Sequence, residues 1–199
     1  ESHVTELPPP YEDPRTFEVE AAGQRIIAHS IPGVFSHGRF DPGTEFLLAN
    51  LPPFSFRRAL DMGSGCGVIA TILQRSAPAA RVDCVDSSAM ALTATRRTLE
   101  ANGLDPSRVW ASNLFSEVKD TYDLIITNPP FHRGFSTDFS ITNQLIDDAK
   151  KHLTRNGCLI MVANRFINYF DHLRAAFPEV SVLAETTKFR VIEAKLRAG

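Results

Sequence analysis

From Arg58 onward, short apolar runs alternate with longer stretches whose apolar residues recur every three or four positions. The short runs read as strands over 58–62, 81–86, 108–112, 122–127 and 157–163, with two more near 180–185 and 188–195. Helical periodicity fits 67–76, 88–102, 141–154 and 169–177. Strands that alternate with helices imply a largely parallel sheet with helices on both faces. Only Glu185-Thr-Thr187 separates the last two strands, too short for a crossover, so they must close as an antiparallel hairpin at or near a sheet edge. The predicted fold is α/β: a doubly wound, Rossmann-like, seven-stranded sheet, mostly parallel, with an antiparallel C-terminal hairpin.

Upstream, Phe17–Glu20 alternates and Gln24–His29 is rich in β-formers, with Ala22-Gly23 between them, which predicts a short N-terminal hairpin. A loop with Pro32, Gly33 and Gly38 follows, and Thr44 is expected to cap a short helix reaching Leu51. Residues 1–16 carry Pro8, Pro9, Pro10 and Pro14 and read as an extended linker or tail, leaving 17–199 as one domain.

Composition narrows the class without naming a function. Hydrophobic residues make up 43% and charged residues 22%, ordinary for a globular domain, and no apolar run approaches the ~18 residues of a membrane span. Three cysteines without paired spacing argue against a disulfide framework or a zinc site. Cys84 and Cys158 sit in apolar runs and read as buried free thiols, which fits a reducing, cytoplasmic setting. No metal site is expected. The start, Glu1-Ser2-His3-Val4, lacks an initiator Met and an apolar signal region, so the chain reads as a fragment of a longer protein or a processed form. The net charge of -2 gives no general pull on phosphates, so a nucleic-acid partner would need a local patch or another domain.

Two stretches carry chemistry. Asp61-Met-Gly63-Ser64-Gly65-Cys-Gly67 joins a strand to a helix, where glycines permit positive φ and close approach of a ligand to the backbone. Dinucleotide binding expects G-x-G-x-x-G, and here the third glycine comes one residue early. Asp61, two residues ahead of the first glycine, is placed to hold a ligand's amino-acid end directly or through water. Asp86, at the tip of the second strand of the alternating region, can accept both ribose hydroxyls of an adenosine, or can instead cap the next helix. Asp83 points to the other strand face and is the weaker candidate.

The second stretch is Tyr122-Asp-Leu-Ile-Ile-Thr-Asn128-Pro129-Pro130-Phe131. A strand running into Asn-Pro-Pro-Phe at its carboxyl end puts that turn where open α/β sheets bind ligands. The prolines stiffen the turn, so the Asn128 side-chain oxygen and the Pro129 carbonyl can face one point as fixed acceptors. Two acceptors holding the two N–H groups of an amine conjugated to a π-system pull its nitrogen toward tetrahedral geometry and aim its lone pair at an electrophile. Phe131 can stack on the planar acceptor.

These residues resemble class I S-adenosylmethionine-dependent methyltransferases of the amino-methylating N-P-P-Y/F group. Gly33-Val-Phe-Ser36, Phe40-Asp-Pro-Gly-Thr44, Ala111–Val118 and Asn128-Pro-Pro-Phe-His132 extend the resemblance to the "small" methyltransferase domain of bacterial ribosomal RNA guanine-N2 methyltransferases, over about Ile31 to Leu196. The resemblance implies S-adenosylmethionine as cofactor, ribosomal RNA (16S) or the small ribosomal subunit as partner, and an N-terminal domain that this chain lacks. It implies cofactor contacts from Asp61, Gly63, Ser64, Gly65, Gly67, Asp86, Ser87, Asn113 and Leu114, with Asn113 beside the adenine. Catalysis falls to Asn128, Pro129 and Phe131, and substrate binding to Phe35, Pro130, Phe131 and Arg133. Adenine N6 or a protein glutamine amide remains open as the alternative acceptor, as does a non-catalytic cofactor- or RNA-binding module. Among nearby basic residues, Arg39, Arg133 and Arg165, Arg133 is the best phosphate contact. His132 need not act as a base, because water can take the proton of the methylated amine.

Overall fold

The computed structural model describes residues 15–53, 55–129 and 140–196. The hairpin pairs β1 (Arg15–Ala21) with β2 (Gln24–Ser30), so Arg15 and Thr16, read as tail, are already strand. Then come α1 (Pro42–Ala49), β3 (Arg58–Met62), α2 (Val68–Ser76), β4 (Arg81–Asp86), α3 (Ala89–Ala101) and β5 (Val109–Ala111). The chain continues through β6 (Tyr122–Thr127), α4 (Ser140–Ala149), β7 (Leu153–Asn164), α5 (Tyr169–Ala176), β8 (Glu179–Glu185) and β9 (Phe189–Lys195). The seven strands from β3 on form one sheet in the order β5-β4-β3-β6-β7-β9-β8, parallel except for β9, which is antiparallel to both its neighbours.

Strand alternation sends side chains to two cores. Ala59, Leu124 and Ile126 face α2, α3 and the hairpin, while Leu60, Met62 and Ile125 face α4 and α5. The order of strands reverses between β3 and β6, and the carboxyl ends of β4, β3 and β6 open there into a crevice, the general ligand site of such sheets. Among the described residues no helix is long and apolar enough to cross a membrane.

Two expected elements differ. The first helix is capped by Asp41, not Thr44: Pro42 takes the first helical position and the Asp41 carboxylate accepts from the Thr44 backbone N–H at 2.8 Å. The helix expected over 141–154 ends at Ala149. One 3-10 turn follows, and β7 begins at Leu153, which pairs with Tyr122 ahead of a register shift. Gly157 lets the strand resume its pairing, since a Cβ there would lie 2.7 Å from the Tyr122 carbonyl oxygen.

Candidate active site

The crevice is a cavity of about 450 Å³. Its walls come from the loop before α1 (Phe35, Arg39, Asp41), the glycine loop (Gly63, Ser64, Gly65), the end of β4 (Asp86, Ser87), the β5 loop (Asn113, Leu114) and the end of β6 (Asn128, Pro129). Most of the sequence-predicted residues from positions 35 to 129 thus meet around one space; Asp61 and Gly67 do not line it. Pro130, Phe131, His132 and Arg133 lie outside the described residues. Arg165 sits on the rim of β7 and pairs with Glu185 at 3.0 Å.

The three glycines divide their work. Gly63 and Gly65 take φ of 74° and 56°, and a Cβ on either would meet no atom within 4 Å, so bare backbone faces open space. Gly67 does not line the cavity: a Cβ there would lie 3.0 Å from the Thr95 Cα, so this glycine lets α2 and α3 pack closely. Thr95, which gave no sequence signal, also pins the loop, donating to the Gly65 carbonyl at 3.1 Å and bonding the Ser64 hydroxyl at 3.0 Å.

Asp86 does not cap α3. Ser88 does that, and Asp86 instead accepts from Gly65 N–H at 3.0 Å and Ser88 N–H at 2.9 Å, one on each carboxylate oxygen. Both oxygens keep a further lone pair, so a ribose diol can bind the prefixed carboxylate. Asp86→Ala is expected to lower S-adenosylmethionine affinity tenfold or more, the loss of charge-assisted bonds worth ~1.5–3 kcal/mol. Calorimetric affinity equal to the native value would refute this. Beside it, Leu114 has φ of 50°, a left-handed backbone unusual for a bulky residue, and holds a tight turn in which Ser112 Oγ donates to its carbonyl at 2.6 Å.

Asp61 lies beneath the loop rather than on the cavity wall. One of its oxygens accepts from Ala70 N–H at 3.0 Å at the start of α2, and the other is buried without a partner. Burial pushes its carboxyl up to about 7, despite the Ala70 bond, with a smaller push from Asp86. A carboxyl raised from 3.8 to about 7 holds its proton longer when folded than when unfolded. Stability of the cofactor-free protein is therefore expected to fall as pH rises from about 4 to about 7, by up to roughly 4 kcal/mol from this group, and then level off. Urea melts across that range check the sign; a rise that Asp61→Asn leaves unaltered would exclude it. The thiol of Cys66, in the same loop, is pushed up to about 11 by burial.

At the far wall, the Asn128 amide nitrogen donates to Asp41 Oδ2 at 2.8 Å and to Thr44 Oγ1 at 2.9 Å. Its oxygen is buried and, among the described residues, has no partner. An orphaned acceptor in a ligand cavity is the mark of a group awaiting a donor. Asp41 and Thr44 were not foreseen as site residues.

A doubly wound sheet with this strand order, a bare glycine loop, an acid at the tip of β4 and an Asn-Pro turn at the end of β6 define a class I methyltransferase domain, whose cofactor is S-adenosylmethionine. The chain matches the methyltransferase small domain family over residues 25–193 and belongs to it. It is similar to the ribosomal RNA small subunit methyltransferase C of Aliivibrio fischeri strain ES114, at 41% identity over 181 residues, 91% of this chain and 53% of that protein. The protein of the same name from Hahella chejuensis is 46% identical over 165 residues, 83% of this chain and 48% of that protein. The chain thus spans about half the length of these curated relatives. Among solved structures, the Thermus thermophilus 16S rRNA N2 G1207 methyltransferase in complex with AdoMet and guanosine superposes with a TM-score of 0.80 at 27% identity, over 92% of this chain and 51% of that one.

Proposed function

We propose that this chain is the methyl-transferring part of an enzyme that methylates the exocyclic N2 amine of a guanine in 16S ribosomal RNA. The observation that carries the reading is the Asn128 oxygen, buried and unpartnered in the wall of the cavity. A similar protein that acts on the same kind of amine, solved with guanosine, supports the choice of base.

S-adenosylmethionine, when bound, supplies an electrophilic sulfonium methyl. The chain's residues hold it and present the nucleophile. Gly63 and Gly65 would offer bare backbone, Asp86 would take the ribose, and Asp61, beneath the glycine loop, would reach the amino-acid end only through water. Asn113 and Leu114 flank the adenine. Asn128 Oδ1 and the Pro129 carbonyl accept the two N–H groups of the guanine amine, turning its lone pair toward the methyl. As the nitrogen–carbon bond forms, the methyl–sulfur bond breaks with its electron pair returning to sulfur, so S-adenosylhomocysteine is the leaving group. Positive charge gathers on the nitrogen, and both acceptors stabilise it before a proton leaves to water. Phe35 lines the cavity on the side of the loop before α1; the family resemblance assigns Pro130 and Phe131 to the base and Arg133 to a phosphate. The net charge of -2 assigns most RNA affinity to the rest of the protein.

The test is tritiated methyl transfer by the whole protein to isolated small subunits, naked rRNA and a short duplex, with nucleoside mass spectrometry of the product. N2-methylguanosine in 16S rRNA is expected. N6-methyladenosine, or label in protein glutamine with none in RNA, would replace this reading with the corresponding acceptor.

A further inference from the structure

We propose that Asp41 and Thr44 are positioning residues that fix which end of the Asn128 amide faces the cavity, and so make the site one that takes N–H donors. The inference rests on the reading of Asn128 as the acceptor for the target amine.

A side-chain amide is nearly symmetric in shape but not in chemistry: one end accepts, the other donates. If Asn128 turned over, its NH₂ would face the substrate amine and the lone pair would lose its guide. The structure settles the choice through α1. A carboxylate only accepts, so the Asn128 atom 2.8 Å from Asp41 Oδ2 must be the nitrogen. The Thr44 hydroxyl donates to the same carboxylate oxygen at 3.2 Å, which leaves its own oxygen free to accept the second amide hydrogen at 2.9 Å. Both amide hydrogens are thereby spent. The reversed amide would set two acceptors 2.8 Å apart with no proton between them.

The same carboxylate oxygen also accepts from the Thr44 N–H at the first turn of α1, so the helix that Asp41 caps is the frame that aims Asn128. Gly43 makes room: a Cβ there would stand 3.0 Å from Asp41 Oδ2 and 3.5 Å from the Asn128 nitrogen. Asp41 and Asn128 come from opposite sides of the glycine loop in sequence, and only the fold joins them.

The experiment uses the whole protein, tritiated S-adenosylmethionine and isolated small ribosomal subunits. Asp41→Ser keeps a good helix cap but withdraws the acceptor from Asn128. Thr44→Val removes the second acceptor and leaves the capped backbone N–H in place. Each is expected to lower kcat by about tenfold or more, with KM and calorimetric cofactor affinity little changed, because only transition-state alignment is lost. Asp41→Asn, which can present an oxygen in the same place, should restore most of the rate. On an Asn128→Ala background neither substitution should cost anything further. Losses that add to that of Asn128→Ala, or Asp41→Ser and Thr44→Val at native rate, would overturn the inference while leaving Asn128 catalytic. A native rate for Asn128→Ala by itself would instead overturn the reading of Asn128, and this inference with it.

Discussion

Asn128→Ala is expected to slow methyl transfer by a factor on the order of 10²–10³, the usual loss for one preorganised polar group at a reacting centre. Cofactor affinity should stay close to native, because the Asn128 side chain is tied to Asp41 and Thr44 at the end of β6, with β3 lying between it and Asp86 at the end of β4. The alanine removes the Asn128 donor from Asp41 and Thr44, but the Asp41 carboxylate still accepts from the Thr44 N–H and hydroxyl and both residues are half-exposed, so α1 should persist. Single-turnover rates at saturating cofactor, paired with calorimetry, read the two quantities separately. Parallel loss of binding and rate would mean that Asn128 shapes the cofactor pocket rather than aligning the amine.

The second large effect lies at the other end of the sheet. Asp83 is fully buried in β4 and accepts from Arg81 at 2.9 Å, from Arg108 through two bonds at 2.7 and 2.9 Å, and from the Tyr122 hydroxyl at 2.9 Å. Arg81 also pairs with Asp120. Asp83→Ala would take the carboxylate partner from Arg108 and the buried Tyr122 hydroxyl, and leave Arg81 with Asp120. Removing one member of a buried ion pair costs about 3–5 kcal/mol. Arg81 and Arg108 can turn partly to water, being 35% and 42% exposed, so the lower part of that range applies. Tyr122 has no such escape and accounts for much of the loss. Urea unfolding should show a lower midpoint at unchanged slope, with S-adenosylmethionine affinity intact in the folded fraction. A destabilisation below about 1 kcal/mol would show that the arginines alone matter and that solvent replaces Asp83.

Much of this architecture is local and therefore readable. Strands 58–62, 81–86 and 122–127 coincide with β3, β4 and β6, because buried parallel strands are short apolar runs with sharp polar ends. The glycine loop, Asp86 and Asn128-Pro129 were legible for the same reason: each is a contiguous strand-end motif, and sheet topology alone brings them to one crevice. What stayed hidden is pairwise and long-range. Nothing along the chain links Asp41 to Asn128, or Thr95 to Ser64, and both bonds depend on how a helix settles on the sheet. Thr44 is a capping residue type, but the helix it was expected to cap begins earlier, at Pro42. The capping rule, applied three residues earlier with proline at the first position, gives Asp41. The end of α4 was misplaced because Leu153 continues the helical apolar spacing although it is the first residue of β7. Asp61 and Gly67 belong to the motif, but the structure places them behind the loop, where Asp61 holds the start of α2 and Gly67 lets α2 and α3 pack closely.

The hairpin ahead of the sheet is tied to α3 by more than apolar contact. The β2 amides of Ile27 and His29 donate to Asn102 Oδ1 at 3.1 Å and Thr98 Oγ1 at 2.9 Å, and Asn102 returns a bond to the Ile27 carbonyl at 2.8 Å. A two-stranded ribbon is marginal in water, and its outer edges invite pairing with a foreign strand. Here a helix stands in for the third strand. Its side chains occupy the ladder positions on which another copy of β2 would dock, so this edge is closed to edge-to-edge aggregation without a proline or a lysine guarding it. The ribbon's persistence in turn is borrowed from α3, and anything that loosens that helix will free a sticky strand as well.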